Sequence, residues 1–280
     1  MNRDIDRFQA LVWREGARLY RDLPWRHGVS PWLVLVSEVM LQQTQVKRVL
    51  GYWPHWASTF PEPRYLAHAS VSEVLAAWQG LGYNRRALAL KRAADILVSD
   101  FDGCLPQSYE ALLTLPGVGP ATAAGVYVFA YNRPHIYLET NVRGVFLHHF
   151  FQGASQVADK ELTGLIAACC DKKNPRGWYY ALLDYGSYLK VTLPNPSRSS
   201  RHHTRQSPFE GSRRQKRAFL LRTLLAAGQA STKELQESLS ATEKEAGRDA
   251  LLGTEVTSLL QTLASEGFIT SVGDNWEVIS

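Results

Sequence analysis

Cysteine is scarce. The 280 residues hold three, Cys104, Cys169 and Cys170. Two are adjacent and the third lies far upstream, which excludes a disulfide framework and fits a reducing cytosol. No apolar run approaches the roughly eighteen residues that cross a bilayer, and no leader of the secretory type is visible, so the expectation is a soluble cytoplasmic chain. Strand-like alternation is missing until residue 268, which leaves little room for a large sheet. An acidic excess is missing too. The formal charge is +5 and the pI about 9.1, a mild balance whose sign suits a nucleic-acid partner. Aromatics are not scarce: eight tryptophans and twelve tyrosines can serve a core and a base-stacking surface.

What is present is organised around residues 113–143. The run Leu115-Pro116-Gly117-Val118-Gly119 is a tight turn between two helical patterns. Pro116 presets one φ, and Gly117 and Gly119 allow φ > 0 or a close backbone approach. Pro120 and Ala121 open the next helix, whose free N-terminal amides favour an anion such as a phosphate. An ordinary helix–helix turn would read the same way. What distinguishes this one is the acid that follows it, Glu139, at the end of the apolar approach Ile136-Tyr137-Leu138.

A second acid stands in an apolar setting. Ser30 suits an N-cap and Pro31 a first helical residue, and the helix they open carries Trp32, Leu35, Val36, Val39 and Met40 on its apolar side. Glu38 lies within that run. It is exposed at a helix edge, or paired, or buried with a raised pKa that suits an acid near neutral pH. Gln42, Gln43 and Gln45 end the helix, either as a polar terminus or as amides able to read a base edge. After Gly80-Leu81-Gly82-Tyr83, the cations Arg85, Arg86 and Lys91 are a solvated face or a set of phosphate contacts.

The periodicity predicts helices over 4–21, 31–45, 71–81, 88–99, 121–131, 142–152, 159–171 and 178–189, with two short ones between 47 and 70. Residues 1–190 are therefore all-α. Residues 194–214 are a Pro/Ser-rich basic connector carrying Arg201 and Arg205, a linker or a DNA-backbone contact. Its His202-His203 pair lacks partners at ligand spacing. Residues 215–280 read helix, helix, helix, then a hairpin around Gly273-Asp274-Asn275, which is a winged-helix-like α+β pattern.

The segment Ser37-Glu38-Val39-Met40-Leu41-Gln42-Gln43-Thr44-Gln45-Val46, the hairpin, and an acid about twenty positions after it resemble the helix–hairpin–helix DNA glycosylases. The likeness is greatest to the MutY-type adenine glycosylase branch. Leu23-Pro24-Trp25-Arg26, Gly80-Leu81-Gly82-Tyr83 and Asn141-Val142-Arg143 add to it, and it covers residues 20–190. The resemblance implies a mainly α, two-lobed fold. Residues 1–30 with 134–193 would form a helical lobe without an iron–sulfur cluster, and 31–133 a six-helix barrel lobe with the hairpin. The basic connector 194–214 and the winged-helix-like domain 215–280 would follow. It implies a monomeric DNA-repair enzyme of the nucleoid that removes a mispaired base, most often adenine opposite 8-oxoguanine or guanine. Glu38 would protonate the base and Glu139 would stabilise the sugar cation. Gln42, Gln43, Tyr83, Arg85, Arg86, Gly117, Gly119, Ala121, Asn141, Arg143, Arg201 and Arg205 would face DNA, with a monovalent cation at hairpin 115–119.

Several departures from that family bear on chemistry. The sugar-facing acid is usually aspartate; Glu139 reaches roughly 1.5 Å further, and a 1 Å misplacement costs about 100-fold. Asn84 stands where the MutY branch usually has a second aromatic. Strand-cleaving relatives carry a lysine where this chain has Ala121, which implies a monofunctional enzyme. Most members bind an iron–sulfur cluster through four cysteines, but residues 189–209 have none, so no cluster is expected. The tail does not resemble the family's usual 8-oxoguanine-reading domain. Alternatives are excision of uracil, thymine or hypoxanthine, a non-catalytic DNA-binding protein, and a regulator acting through residues 215–280.

Overall fold

The computed structural model describes residues 2–201 and 207–279; Arg205, His202 and His203 lie outside the described residues. Along the chain run α1 (Asn2–Arg18), α2 (Pro31–Leu41), α3 (Val46–Leu50), α4 (Trp53–Thr59), α5 (Pro63–His68), α6 (Val71–Trp78) and α7 (Arg85–Asp100). Then come α8 (Tyr109–Leu113), α9 (Pro120–Tyr131), α10 (Thr140–Phe150), α11 (Asp159–Cys169) and α12 (Pro175–Thr192). The C-terminal part holds α13 (Arg213–Ala227), β1 (Gln229–Ser231), α14 (Thr232–Glu245), α15 (Gly253–Ser265), β2 (Ile269–Val272) and β3 (Asn275–Val278). The chain is thus mainly helical with one small sheet. Among the described residues, no helix is long and apolar enough to cross a membrane.

The chain divides into two compact units. The first joins Met1–Gln43 to Ser99–Arg205. Its helices begin where the sequence supplies caps: Ser30 accepts the Leu33 amide for α2, and Asn174 accepts the Gly177 amide ahead of Pro175 for α12. The core packs Phe8 and Val12 of α1 against Phe146 of α10 and Trp178, Tyr179 and Leu182 of α12. Gly186 lets α12 pass close to the start of α10. A Cβ there would stand 2.7 Å from the Asn141 carbonyl carbon and 2.8 Å from its Cβ. A buried ion cluster ties the loop after α1 to α12. Arg26 forks onto Asp184 at 2.8 and 2.9 Å, Arg21 adds 2.6 Å, and the Asp184 side chain has no exposure. Removing one member of such a group costs about 3–5 kcal/mol.

The start of the basic connector is packed. A 3-10 turn, Pro196–Ser199, lies on α10, where Ser197 Oγ donates to the Thr140 carbonyl at 3.1 Å. The Val157 amide donates to Ser199 O and the Arg201 amide to Val157 O, at 2.9 and 3.0 Å. That backbone pairing holds Arg201 in place and leaves its side chain exposed.

The second unit joins Thr44–Val98 to Gln206–Ser280. Three short helices, not two, fill 46–68. Pro54 and Pro63 each sit in a first turn, where proline starts a helix but cannot continue one. Trp56 packs on Phe60 and Trp78 with ring centroids 4.8 and 5.0 Å apart. In the C-terminal module α13 begins five residues before its apolar period, because Ser212 caps it by accepting the Gln215 amide. The expected hairpin β2–β3 gains an unexpected third strand, giving the order β1-β3-β2. Three residues are too few to show alternation, and β1 exists because Ala230 pairs with Trp276, whose indole donates to Thr232 Oγ1. Three helices and this sheet complete a winged-helix arrangement.

Candidate active site

Helix α2 is buried on most sides, through Trp32, Val34, Leu35, Val36, Val39 and Met40. Glu38 keeps one edge partly open, but its carboxyl is desolvated. Burial first, then the charge of Glu139, pushes its pKa up to about 8, against an opposing hydrogen bond from Tyr137. The Tyr137 hydroxyl donates to Glu38 Oε2 at 3.3 Å. Tyr137 is itself fixed: its amide donates to Tyr179 Oη at 3.2 Å, and Tyr179 donates to the His135 carbonyl at 2.7 Å. Gly125 of α9 backs the carboxyl. A Cβ there would clash with Glu38 Oε2 and stand 2.9 Å from its Cδ and 3.0 Å from the Tyr137 ring.

Glu139 is the N-cap of α10. Its Oε1 accepts the Asn141 amide at 2.6 Å and the Val142 amide at 2.9 Å, and its Oε2 accepts Asn141 Nδ2 at 3.4 Å. The extra methylene is absorbed by this turn back onto the helix. Burial raises its pKa, while the backbone donors and Arg143 oppose the rise. Glu139 accepts two amides at a positive helix end and Glu38 only one phenol, so Glu139 ionises first and its charge holds the proton on Glu38. The two carboxyls therefore sit in unequal environments, and a shared proton favours Glu38.

Tyr180 forms another wall. Its ring stacks on Phe129 with centroids 4.6 Å apart, and the Arg26 guanidinium lies 4.3 Å from its centre. Tyr137, Tyr180 and Gly125 were not singled out by sequence reasoning. The available signals were a tyrosine two residues before Glu139 and a glycine inside an apolar helix.

The hairpin joins α8 to α9. Leu115 and Val118 are buried and anchor it, while Gly117, Gly119, Pro120 and Ala121 stand exposed. Gly117 has φ +78, a conformation that favours glycine. Gln42 is spent on this hairpin, its Nε2 donating to Thr122 Oγ1 at 2.9 Å and to Gly117 O at 3.4 Å. The Val118 amide bonds Leu115 O. Each carbonyl keeps a second lone pair for the monovalent cation expected there.

Two residues expected at DNA hold left-handed backbones that bulky side chains rarely adopt. Gln43 has φ 53 and Tyr83 has φ 51, each costing about 1–2 kcal/mol. Both side chains are exposed. Three other expected contacts have partners within the protein. Arg143 forks onto Asp159 at 2.8 Å through two bonds and ties α10 to α11, with only 15% of its side chain exposed. Arg86 donates to Thr44 Oγ1, Leu81 O and Gly82 O beneath the Tyr83 loop. Arg85 pairs with Glu266 at 2.5 Å.

Among the described residues no cluster of three or more histidine, cysteine, aspartate or glutamate side chains is gathered as for a metal. Cys169 and Cys170 are buried at the end of α11, where burial pushes the Cys169 thiol up to about 11, and Cys104 is exposed.

Residues 36–167 match the family described as HhH-GPD superfamily base excision DNA repair protein. That region contains Glu38, Tyr83, the hairpin and Glu139. The chain is 48% identical over 144 residues to an adenine DNA glycosylase of Mycobacterium tuberculosis, covering 51% of this chain and 47% of that one. It is 40% identical over 123 residues to a thymine/uracil-DNA glycosylase of Pyrobaculum aerophilum, covering 44% and 54%. It thus spans about half the length of the curated relatives it matches. In fold it is similar to a thermostable thymine-DNA glycosylase, with a TM-score of 0.60 at 23% identity over 66% of this chain and 87% of that one.

Proposed function

We propose that the chain, whose residues 36–167 match the HhH-GPD superfamily of base excision DNA repair proteins and which is similar to a MutY-type adenine glycosylase, is a DNA N-glycosylase removing adenine mispaired with 8-oxoguanine or guanine. The observation that carries this reading is the buried, unequally bonded carboxyl pair: Glu38 meets the Tyr137 phenol, while Glu139 accepts two amides at the start of α10. An anionic purine leaves a sugar poorly. Glu38 gives its proton to a purine ring nitrogen as the C1′–N bond breaks and its electron pair moves onto the base. Glu139 faces the positive charge left on the sugar. Water then adds to C1′ and its proton returns to the Glu38 carboxylate. The target base is extruded first, and the exposed hairpin amides hold the strand by a phosphate.

The same reading makes the enzyme monofunctional, because Ala121 offers no amine for strand cleavage. It also makes it clusterless. An iron–sulfur cluster takes four thiolates, and residues 171–280 contain no cysteine, so the residues present do not fit one. The packed turn at 196–199 supports α10 in its place.

The test is base release from duplexes holding adenine opposite 8-oxoguanine or guanine, beside uracil, thymine and hypoxanthine mismatches, each with and without alkali. Nicking at adenine that depends on alkali is expected. Release of thymine or uracil instead would move the substrate toward that of the Pyrobaculum relative. Tight binding without release of any base would leave a DNA-binding protein.

Gly125→Ala is expected to slow base release by tenfold or more, since displacing a reacting group by about 1 Å costs on the order of 100-fold. Its melting temperature should stay near that of the native protein, because alanine favours the helix by about 1 kcal/mol over glycine. Single-turnover rates and melting curves check both, and an unchanged rate would show that α9 does not hold the Glu38 carboxyl in place.

A further inference from the structure

The winged-helix module raises a question that the candidate active site does not answer. Such modules usually read DNA through the third helix and the wing. Here those surfaces are neutral or acidic. The exposed positions of α15 include Thr254, Glu255, Ser258 and Gln261, and the β2–β3 turn carries Asp274. Residues 218–280 contain nine acidic side chains against four basic ones. Cationic charge reaches that face from α13, where Arg213 Nη2 donates to Ser258 Oγ at 3.3 Å and Thr262 Oγ1 at 3.2 Å. The positive charge sits instead at the start of α13, in Arg213, Arg214, Lys216 and Arg217.

That basic edge meets the Tyr83 loop. Arg214 Nη1 donates to the Tyr83 hydroxyl at 3.1 Å, and Nη2 donates to the Ser207 carbonyl at 2.7 Å. Glu266, at the end of α15, is largely covered and receives both Arg217 and Arg85. One carboxylate thus clamps α13 and α7 together next to Tyr83. From the other side the Arg86 guanidinium lies 5.6 Å from the centre of the Tyr83 ring. Tyr83 holds a strained backbone at φ 51, while Gly80 and Gly82 take their positive φ of 89 and 74 without cost. An exposed aromatic ring held among arginines is a stacking platform for an unpaired or distorted base.

The geometry points to the winged-helix module as a brace for this platform, with Arg214 as a positioning residue that sets the pose in which the Tyr83 ring meets DNA. The inference rests on the glycosylase reading for its substrate, and on the Arg214–Tyr83 contact for its mechanism. The third helix of the module is then not a sequence reader, and residues 215–280 select no DNA sequence by themselves.

A double-mutant cycle on the full chain tests it, with Arg214→Ala, Tyr83→Phe and the pair. Two readouts are taken on a duplex with adenine opposite 8-oxoguanine and 2-aminopurine next to the mispair: the single-turnover rate and the fluorescence rise on binding. Arg214→Ala is expected to lower both by about three- to tenfold, the scale of one hydrogen bond, while DNA affinity and its salt dependence stay unchanged. In the Tyr83→Phe background it should add nothing. Arg214→Lys, which keeps a donor for the phenol, should recover most of the loss, and Glu266→Gln should reproduce it. The inference is overturned if Arg214→Ala weakens binding on every duplex, reduces the salt slope by about one, and acts equally with Tyr83→Phe. Those results describe a phosphate contact. If the native protein releases no base from any duplex, the glycosylase reading fails, and the fluorescence arm still decides whether Arg214 positions Tyr83.

Discussion

Glu38→Gln will abolish base release while leaving DNA affinity intact, with a loss of about 10²–10⁴-fold for removing a general acid. Glutamine keeps the shape and the hydrogen bond from Tyr137, and it loses only the transferable proton. The pH profile carries the same argument. Donation needs the protonated form, so the single-turnover rate should fall as pH rises through about 8, where Glu38 ionises. On the acid side the rate should fall as Glu139 takes up a proton and no longer faces the sugar with a charge. Stability moves the opposite way. The folded pKa of Glu38 lies above its ordinary value of 4.5. Its contribution to stability is therefore fully present below about 4.5 and is lost as pH rises to about 8. Above that the fold holds a desolvated charge. Glu38→Gln should thus melt close to the native protein at pH 5 and clearly above it at pH 9, by a few kcal/mol in order of magnitude. A variant that is inactive yet no more stable at pH 9 would place the Glu38 carboxyl in water and remove the physical basis for its acid role.

Stabilisation of that kind is what a functional site predicts, because α2 would gain from almost any neutral residue at position 38. Local chemistry made much of this frame legible from the chain. Ser30-Pro31 is a start signal that the structure uses as a cap. The glycines and prolines of 115–120 mark the hairpin for the same reason. The parts that were not legible depend on long-range contacts or on backbone state. Arg143 reads as a phosphate ligand, and only the fold shows that its Nε and Nη2 pair with Asp159. Gln42 looks like a base reader until Thr122 comes within 2.9 Å. Tyr137 reads as an apolar residue, and only the fold brings its hydroxyl to Glu38 across 99 positions. The left-handed backbones at Gln43 and Tyr83 leave no trace in composition, since neither residue type favours them. The contact between Arg214 and Tyr83 spans 131 positions and joins segments that carry no shared pattern.

Glu139→Gln is expected to be the second most damaging single change, lowering base release by about 10²–10³-fold as the site loses the charge facing the sugar. Its amide oxygen can still accept the Asn141 and Val142 amides, so α10 should keep its start and the melting temperature should change little. Glu139→Ala also removes the cap, with about 0.5–2 kcal/mol of stability in addition to the lost rate. Glu139→Asp separates reach from charge. The backbone at 139 is extended, with φ −120 and ψ −179, and the long side chain curls back to place Oε1 over two amides. A shorter acid at the same backbone position can cap the helix, as aspartate commonly does, but its oxygens withdraw from the sugar by roughly the length of one methylene. The expected loss is about 100-fold, with stability retained. An aspartate variant as fast as the native enzyme would show that the carboxylate acts through its field at a distance and not by close approach to C1′. A glutamine variant with native activity would remove Glu139 from the reaction altogether and leave Glu38 as the only working acid. Single-turnover rates of the three variants, read beside their melting curves, distinguish these cases.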